Sequence, residues 1–235
     1  MIELTIIALL PIFVILAFVY FRDPDKEPPK TLFTAFFFGV LTIIPAALWE
    51  EFVCNFFLAE EYPFINNFFC IALTEEVVKL AVIILYVFRH KDFNDTFDGI
   101  VYAVAVSLGF AAAENIMYTL ESGLDTGIMR AFTSVPGHAA FAVFMGYLIP
   151  RAKTNHFYMR TQKRNKYILL SLLIPTVIHG MYDYLLTIKE VGLFLVLIIC
   201  IDIAAIIIIN KARKNDRSIM IDTEEMTDNQ INIAK

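Results

Sequence analysis

The residues able to do chemistry sit where the chain is otherwise apolar. The stretch NNFFCIALTEEVVKLAVIILYVF places Glu75, Glu76 and Lys79 in its middle. GFAAAENIMY carries Glu114 and Asn115, PGHAAFAVFMGY carries His138, and IPTVIHGMYDYLL carries His179 and Asp183. Lys79 lies i+4 from Glu75 and i+3 from Glu76, with the carboxylates on the N-terminal side, the favourable order for a helical ion pair. Neighbouring helical residues point about 100° apart, so one glutamate can pair with Lys79 while the other faces a cavity, where it suits general-base work. His179 and Asp183 are i,i+4 and share one helix face. Asp183 can orient the imidazole, or both can ligate one ion. Two histidines plus carboxylates can build a catalytic zinc site, but the same set can serve metal-free general-base chemistry.

The elements that must position these groups are membrane helices. Hydrophobic residues make up 58 % of the 235-residue chain and charged ones only 18 %, against about 25 % charged in a soluble domain. Apolar blocks long enough to span a bilayer lie at about 2–21, 31–49, 67–88, 97–118, 129–149, 167–188 and 190–209. The expected fold is therefore all-α: a polytopic transmembrane helix bundle of about seven spans. Residues 1–210 form the membrane-embedded domain and residues 211–235 a disordered polar tail. The start MIELTIIALL has no basic stretch before its apolar run and reads as a retained span rather than a signal peptide. RDPDKEPPK separates the first two spans, and its prolines stop a helix from running through. The segment from Glu50 to Asn66 reads as a surface loop or a short interfacial helix. Cys54, Cys70 and Cys200 have no metal-site spacing and read as unpaired apolar fillers, with pairing of Cys54 and Cys70 open. No basic footprint for nucleic acid and no Gly-rich phosphate loop is present.

Charge sets the orientation. Most of the 19 basic residues fall on alternate loops: 22–30, 89–96, 151–166 and the tail. The opposite loops hold Glu50, Glu51, Glu60, Glu61, Glu121 and Asp125, with Arg130 and Lys189 nearby. The positive-inside rule places the N-terminus outside and the C-terminus in the cytoplasm. In that topology Glu75 and Glu76 lie roughly 12–14 Å below the outer surface at 1.5 Å per residue. His138, His179, Asp183 and Glu114 enter the same outer-leaflet layer from three other helices. Each ionisable group there costs roughly 2.5–3.5 kcal/mol on insertion scales, so they must face one another, water or a metal. A transporter or ion or proton channel could use such a layer as a relay, but the inverted repeats and broken helices that mark transporters are absent from the sequence. Chemistry at one shared site is the better reading.

At these residues the sequence resembles the PrsW family of intramembrane proteases, within the superfamily that holds the CAAX prenyl proteases and bacteriocin-processing enzymes. The matching pieces are E-E-x-x-K at Glu75, Glu76 and Lys79, and F-x-x-x-E-N at Phe110, Glu114 and Asn115. His138 with Gly146, then H-x-x-x-D at His179 and Asp183, come after them in order. The similarity covers about residues 20–185 and departs where Glu27-Pro28-Pro29 replaces the family's frequent E-P-E-P. Other intramembrane signatures (H-E-x-x-H, G-x-S-G, paired G-x-G-D) do not occur. The resemblance implies an endopeptidase of the bacterial plasma membrane. It would make the first, outer-side cut in a single-span anti-sigma factor and so start release of a sigma factor for stress transcription. On that reading Glu75 or Glu76 is the base, and His138 and His179 hold the water or polarise the carbonyl. Glu114, Asp183 and Asn115 complete the shell, with Asn115 a candidate oxyanion donor. If a metal is present, its ligands are expected to be His138, His179 and Asp183.

Overall fold

The computed structural model describes residues 2–57 and 61–219, and these are helical apart from short connections. Helices run over Ile2–Arg22 (α1), Pro29–Leu41 (α2), Ile43–Phe57 (α3) and a single turn at Pro63–Ile65 (α4). A π-helical stretch, Asn66–Ala72, leads directly into Leu73–Leu85 (α5). Then come Asp98–Ser122 (α6), Leu124–Phe132 (α7), Ser134–Phe157 (α8), Thr161–Thr187 (α9) and Val191–Lys214 (α10).

Five helical stretches are long and apolar enough to cross a membrane: Pro29–Phe52, Asp98–Ser122, Leu124–Phe157, Thr161–Thr187 and Val191–Lys214. Their outer faces are apolar too. On α10, Leu193, Val196, Ile199, Ile203 and Ile207 are all exposed, a surface suited to lipid rather than water. The chain is a multi-pass membrane protein.

Prolines explain the breaks. Pro29 opens α2, where a missing N–H costs nothing. Pro45 cannot bond back to the carbonyl of Leu41, and the chain makes a turn at Thr42, whose hydroxyl donates to the Gly39 carbonyl (2.6 Å). The second apolar block is thus two helices. The region from Glu50 onward, expected as a loop or interfacial helix, continues α3 to Phe57; Glu60 lies outside the described residues. Glu114 sits deeper than the sequence suggests because α6 runs on to Ser122, stopping at Gly123 with φ +87°. Of the polar tail, residues 211–214 finish α10. Residues 216–219 lie along residues 94–97, with the Ile219 N–H donating to the Asn94 carbonyl (2.7 Å) and the Thr96 N–H to that of Arg217 (3.0 Å). Residues 220–235 lie outside the described residues. Cys70 and Cys200 are free thiols, and Cys54 Sγ donates to Asn66 Oδ1 (3.3 Å).

Helix α6 is the centre of the bundle, with α1, α2, α5, α7 and α8 around it. Its closest approaches are made at glycine. A Cβ on Gly109 would stand 2.0 Å from the Phe36 carbonyl oxygen, and one on Gly39 2.0 Å from that of Val106. Gly99 and Gly146 face each other the same way, bringing α8 against α6. Small residues that let backbones meet are the usual means of packing helices in lipid. Gly109→Ala is expected to cost at least about 1–3 kcal/mol, the range for overpacking, because a backbone oxygen must move. A thermal midpoint unchanged from wild type in detergent would contradict this.

Candidate active site

The four helices that carry the ionisable residues deliver them to one place. Glu75 and Glu76 lie in the first turn of α5, straight after the π-helical stretch. Single π turns inside helices recur at functional sites because they shift the helix face beyond them. Here Asn67, inside the π stretch, donates to the Pro63 carbonyl (2.7 Å) and to Thr187 Oγ1 (3.0 Å), tying α5's approach to the end of α9. Glu114 is about two turns before the end of α6, His138 about one turn into α8, and His179 about two turns before the end of α9.

Lys79 sits at the middle. Its Nζ donates to Glu75 Oε2 and to Glu76 Oε1, both at 2.9 Å, and lies 3.2 Å from His138 Nδ1. The Phe110 ring lies beneath it, 4.3 Å from Nζ to centroid. The ammonium is thus held by two carboxylates and a ring face, and Lys79 is 1 % exposed. Both glutamates pair with it, where the sequence suggested one. They are not equivalent, however. Glu75 lines a cavity of about 730 Å³, whereas Glu76 does not, being held between Lys79 and His179 Nδ1 (3.1 Å).

The histidines are held from both sides. His138 Nε2 is 2.8 Å from Glu114 Oε2, and its own carbonyl accepts from Ser107 Oγ (2.9 Å). His179 Nε2 stands 3.3 Å from Asp183 Oδ2, within ion-pair range but not aligned as a hydrogen bond. It is 3.9 Å from Glu75 Oε2. Phe141 stacks on the His179 ring at 4.7 Å, and the two imidazoles meet edge to face at 5.3 Å.

Every residue expected at the site is near it, but two stand differently. Asn115 does not line the cavity; its Oδ1 accepts from Arg130 Nε (3.0 Å). Asp183 lines the cavity but stands behind His179 and outside the tight donor group. That group is Glu75, Glu76, His138 and His179, whose ligand atoms lie within 4.8 Å of one another, all four buried. The group thus adds the two glutamates to the two expected imidazoles. Two imidazoles and two carboxylates form a donor set that a divalent transition metal accepts, so the residues present fit a metal. Lys79, bonded to both carboxylates, is the rival cation.

Arg130 joins the site without having been expected there. It comes from α7, bonds Glu114 Oε2 (2.8 Å) and Ser134 Oγ (2.9 Å), and lines the cavity. Its signal in the sequence is an arginine on an otherwise acidic side of the membrane, close to a glutamate that needs a counter-charge. Glu50 of α3 also lines the cavity. A slightly larger cavity, about 770 Å³, lies elsewhere between Tyr147, Arg151, Lys211 and Arg217, and holds none of these groups.

Residues 27–209 match the family described as PrsW family intramembrane metalloprotease. The chain belongs to the PrsW family. It is 38 % identical over 191 residues to Protease PrsW of Geobacillus kaustophilus, covering 77 % of this chain and 80 % of that one. Against Protease PrsW of Bacillus subtilis it is 33 % identical over 174 residues, 74 % of this chain and 78 % of the relative. Against that of Clostridioides difficile it is 32 % identical over 221 residues, 90 % and 91 % of the two chains. No solved structure matches. As a member of the PrsW family the protein is an intramembrane peptidase acting on membrane proteins within the bilayer. The matched segment contains every residue of the cavity's polar layer.

Proposed function

We propose that this protein makes the first, outer-side cut in a single-span anti-sigma factor, with Glu75 as the general base. The observation that carries the reading is the inequivalence of the glutamates: Glu75 lines the cavity beside both histidines while Glu76 is locked behind it. In the proposed reaction the Glu75 carboxylate takes a proton from a water in the cavity. The water oxygen attacks the scissile carbonyl, and the C–N bond breaks as the proton passes to the leaving amine. Glu76 holds Lys79 and His179 in position. Glu114 holds His138, and Asn115 acts by positioning Arg130, the cation closest to Glu114 at the cavity wall. Arg130 takes over the oxyanion-side role expected for Asn115. If a metal is bound, Glu76, His138 and His179 would hold it, leaving Glu75 free as the base, with Asp183 orienting the His179 imidazole; the ion, zinc by its ligand set, would supply Lewis-acid polarisation.

The outer-side assignment rests on topology. The proposed topology counts α1 and the Pro63–Leu85 stretch as crossings beside the five long apolar stretches, seven in all. The alternation of basic and acidic loops then puts the N-terminus and the site's end of the bundle outside. A reporter fused after Arg160 should read cytoplasmic and one inserted near Asp125 external. Mass spectrometry of a single-span substrate cleaved by the purified enzyme should place the cut in its outer half. Reversed reporters would put the site in the inner leaflet and overturn the outer-side reading.

A further inference from the structure

A second group of carboxylates lies at the other end of α6, and the protease chemistry does not use it. Asp98 opens α6, 16 residues before Glu114, which is roughly 24 Å along the helix. Asp23 and Glu27 come from the α1–α2 loop, and ligand oxygens of all three lie within 4.8 Å of one another. All are buried: Asp23 is 2 % exposed, Glu27 3 % and Asp98 1 %.

Three buried carboxylates this close repel one another unless protons or a cation intervene. The nearby lysines do not serve. Lys26 directs its ammonium to the backbone carbonyls of Asp23 and Phe21, and Lys153 directs its own to those of Phe93 (2.5 Å) and His90 (3.3 Å). Some acceptor capacity is met within the protein. Glu27 accepts from the Tyr102 hydroxyl, and Asp98 Oδ2 from the N–H groups of Asn94 (2.8 Å) and Asp95 (2.7 Å). The remainder is not. Among the described residues neither oxygen of Asp23 has an aligned hydrogen-bond partner, nor does Asp98 Oδ1, and all three atoms are shut off from solvent. A buried ionised carboxylate with both oxygens bare is among the costliest groups a fold can carry.

We propose that Asp23, Glu27 and Asp98 bind a hard divalent cation, Mg²⁺ or Ca²⁺, that fastens the α1–α2 loop to the start of α6. The donor chemistry sets the class. The group offers carboxylate oxygens, with neither imidazole nor thiolate, and oxygen-only sites take Mg²⁺ or Ca²⁺ rather than zinc. The bare oxygens of Asp23 and Asp98 become ligands. The ion joins two segments that the Tyr102–Glu27 bond and a side-chain hydrogen bond between Glu27 and Asp98 also link. It also steadies the 92–98 connection, on which residues 216–219 pack through Asp216 Oδ1 and the Phe97 N–H (2.8 Å). The site is independent of the peptidase reading, since neither shares a residue with the other.

The test uses the full chain, purified in detergent, stripped with EDTA and dialysed. MgCl₂ and CaCl₂ are added separately at matched ionic strength. One or both should raise the thermal midpoint by about 5 °C at a concentration 100-fold above Kd. Asp23→Asn and Asp98→Asn should abolish that rise. A wild-type midpoint indifferent to both salts, or Asn variants that respond as wild type does, would overturn the proposal and leave shared protons as the neutralising agent. Should the Asn variants not fold, Tb³⁺ serves as the probe on stripped wild type. Tyr102, bonded to Glu27, should sensitise its luminescence, and excess Ca²⁺ or Mg²⁺ should quench it. Tyr102→Phe keeps all three carboxylates and should lose most of the emission while retaining the cation-dependent rise in midpoint. Emission unchanged in Tyr102→Phe would place the bound ion elsewhere and count against the site.

Discussion

Glu75→Gln should lower cleavage of a single-span substrate by at least about 10²-fold while the protein keeps its fold. The substitution preserves shape and leaves an oxygen for Lys79 Nζ to donate to, but a carboxamide cannot take up the water's proton. Glu76→Gln tests the contrast. Glu76 is 1 % exposed and bonded to both Lys79 and His179. Its loss of charge weakens the site's framework, so activity should fall together with the thermal midpoint. Lys79→Met goes further in that direction. It leaves two buried carboxylates without their shared cation, and removing one partner of a buried pair costs about 3–5 kcal/mol. Rate loss without stability loss is therefore the signature of Glu75. If Glu75→Gln cleaved normally and Glu76→Gln alone were dead, the base would be Glu76. Normal turnover by both would remove the glutamates from the chemistry altogether.

The parts of this site that the sequence disclosed are those for which lipid leaves little choice. An ionisable group inside a bilayer must find a partner or a cavity. Six such groups on four apolar stretches thus pointed to each other before any contact was known, and Glu75, Glu76, Glu114, His138, His179 and Asp183 do meet. The spacing of Lys79 behind the glutamates foretold its ion pairs. The features that stayed hidden depend on which way a helix is turned. A helix apolar on all sides has no amphipathic stripe to fix its rotation, so the sequence could not say that Glu75 lines the cavity and Glu76 does not. The π-helical stretch at Asn66–Ala72 adds to this, because a changed hydrogen-bond register rotates the helix beyond it and leaves no compositional trace. The break at Thr42 was readable in principle from Pro45, but the surrounding run of apolar residues masked it. Arg130 reads as a loop charge because it lies close to the end of a span. Its role appears only once α7 folds back against α6, where Gly127 packs on Thr119.

His179→Ala should abolish both peptidase activity and bound metal if the four-residue donor group holds an ion. His179 is the shared element of the site: its Nδ1 meets Glu76, its Nε2 faces Asp183 and Glu75, and Phe141 fixes its plane. Alanine removes one donor and frees the two carboxylates on either side. Asp183→Asn should act more gently, weakening metal binding by roughly 10–100-fold, because a carboxylate that orients a ligating imidazole raises its basicity without touching the ion. A glutamate peptidase behaves differently in one measurable respect. It also loses activity in His179→Ala, since the imidazole still positions the water and Glu76, but active wild-type enzyme then contains well under one metal per chain. Chelation is the weaker assay, because a site buried to this degree releases an ion slowly whatever its affinity. Elemental analysis of active enzyme never exposed to chelator separates the two cases. One transition metal per chain, lost in His179→Ala and reduced in Asp183→Asn, establishes metal catalysis. Full activity with none leaves the Lys79 ammonium as the cation that both Glu75 and Glu76 hold, and assigns the polarising role to the residues themselves.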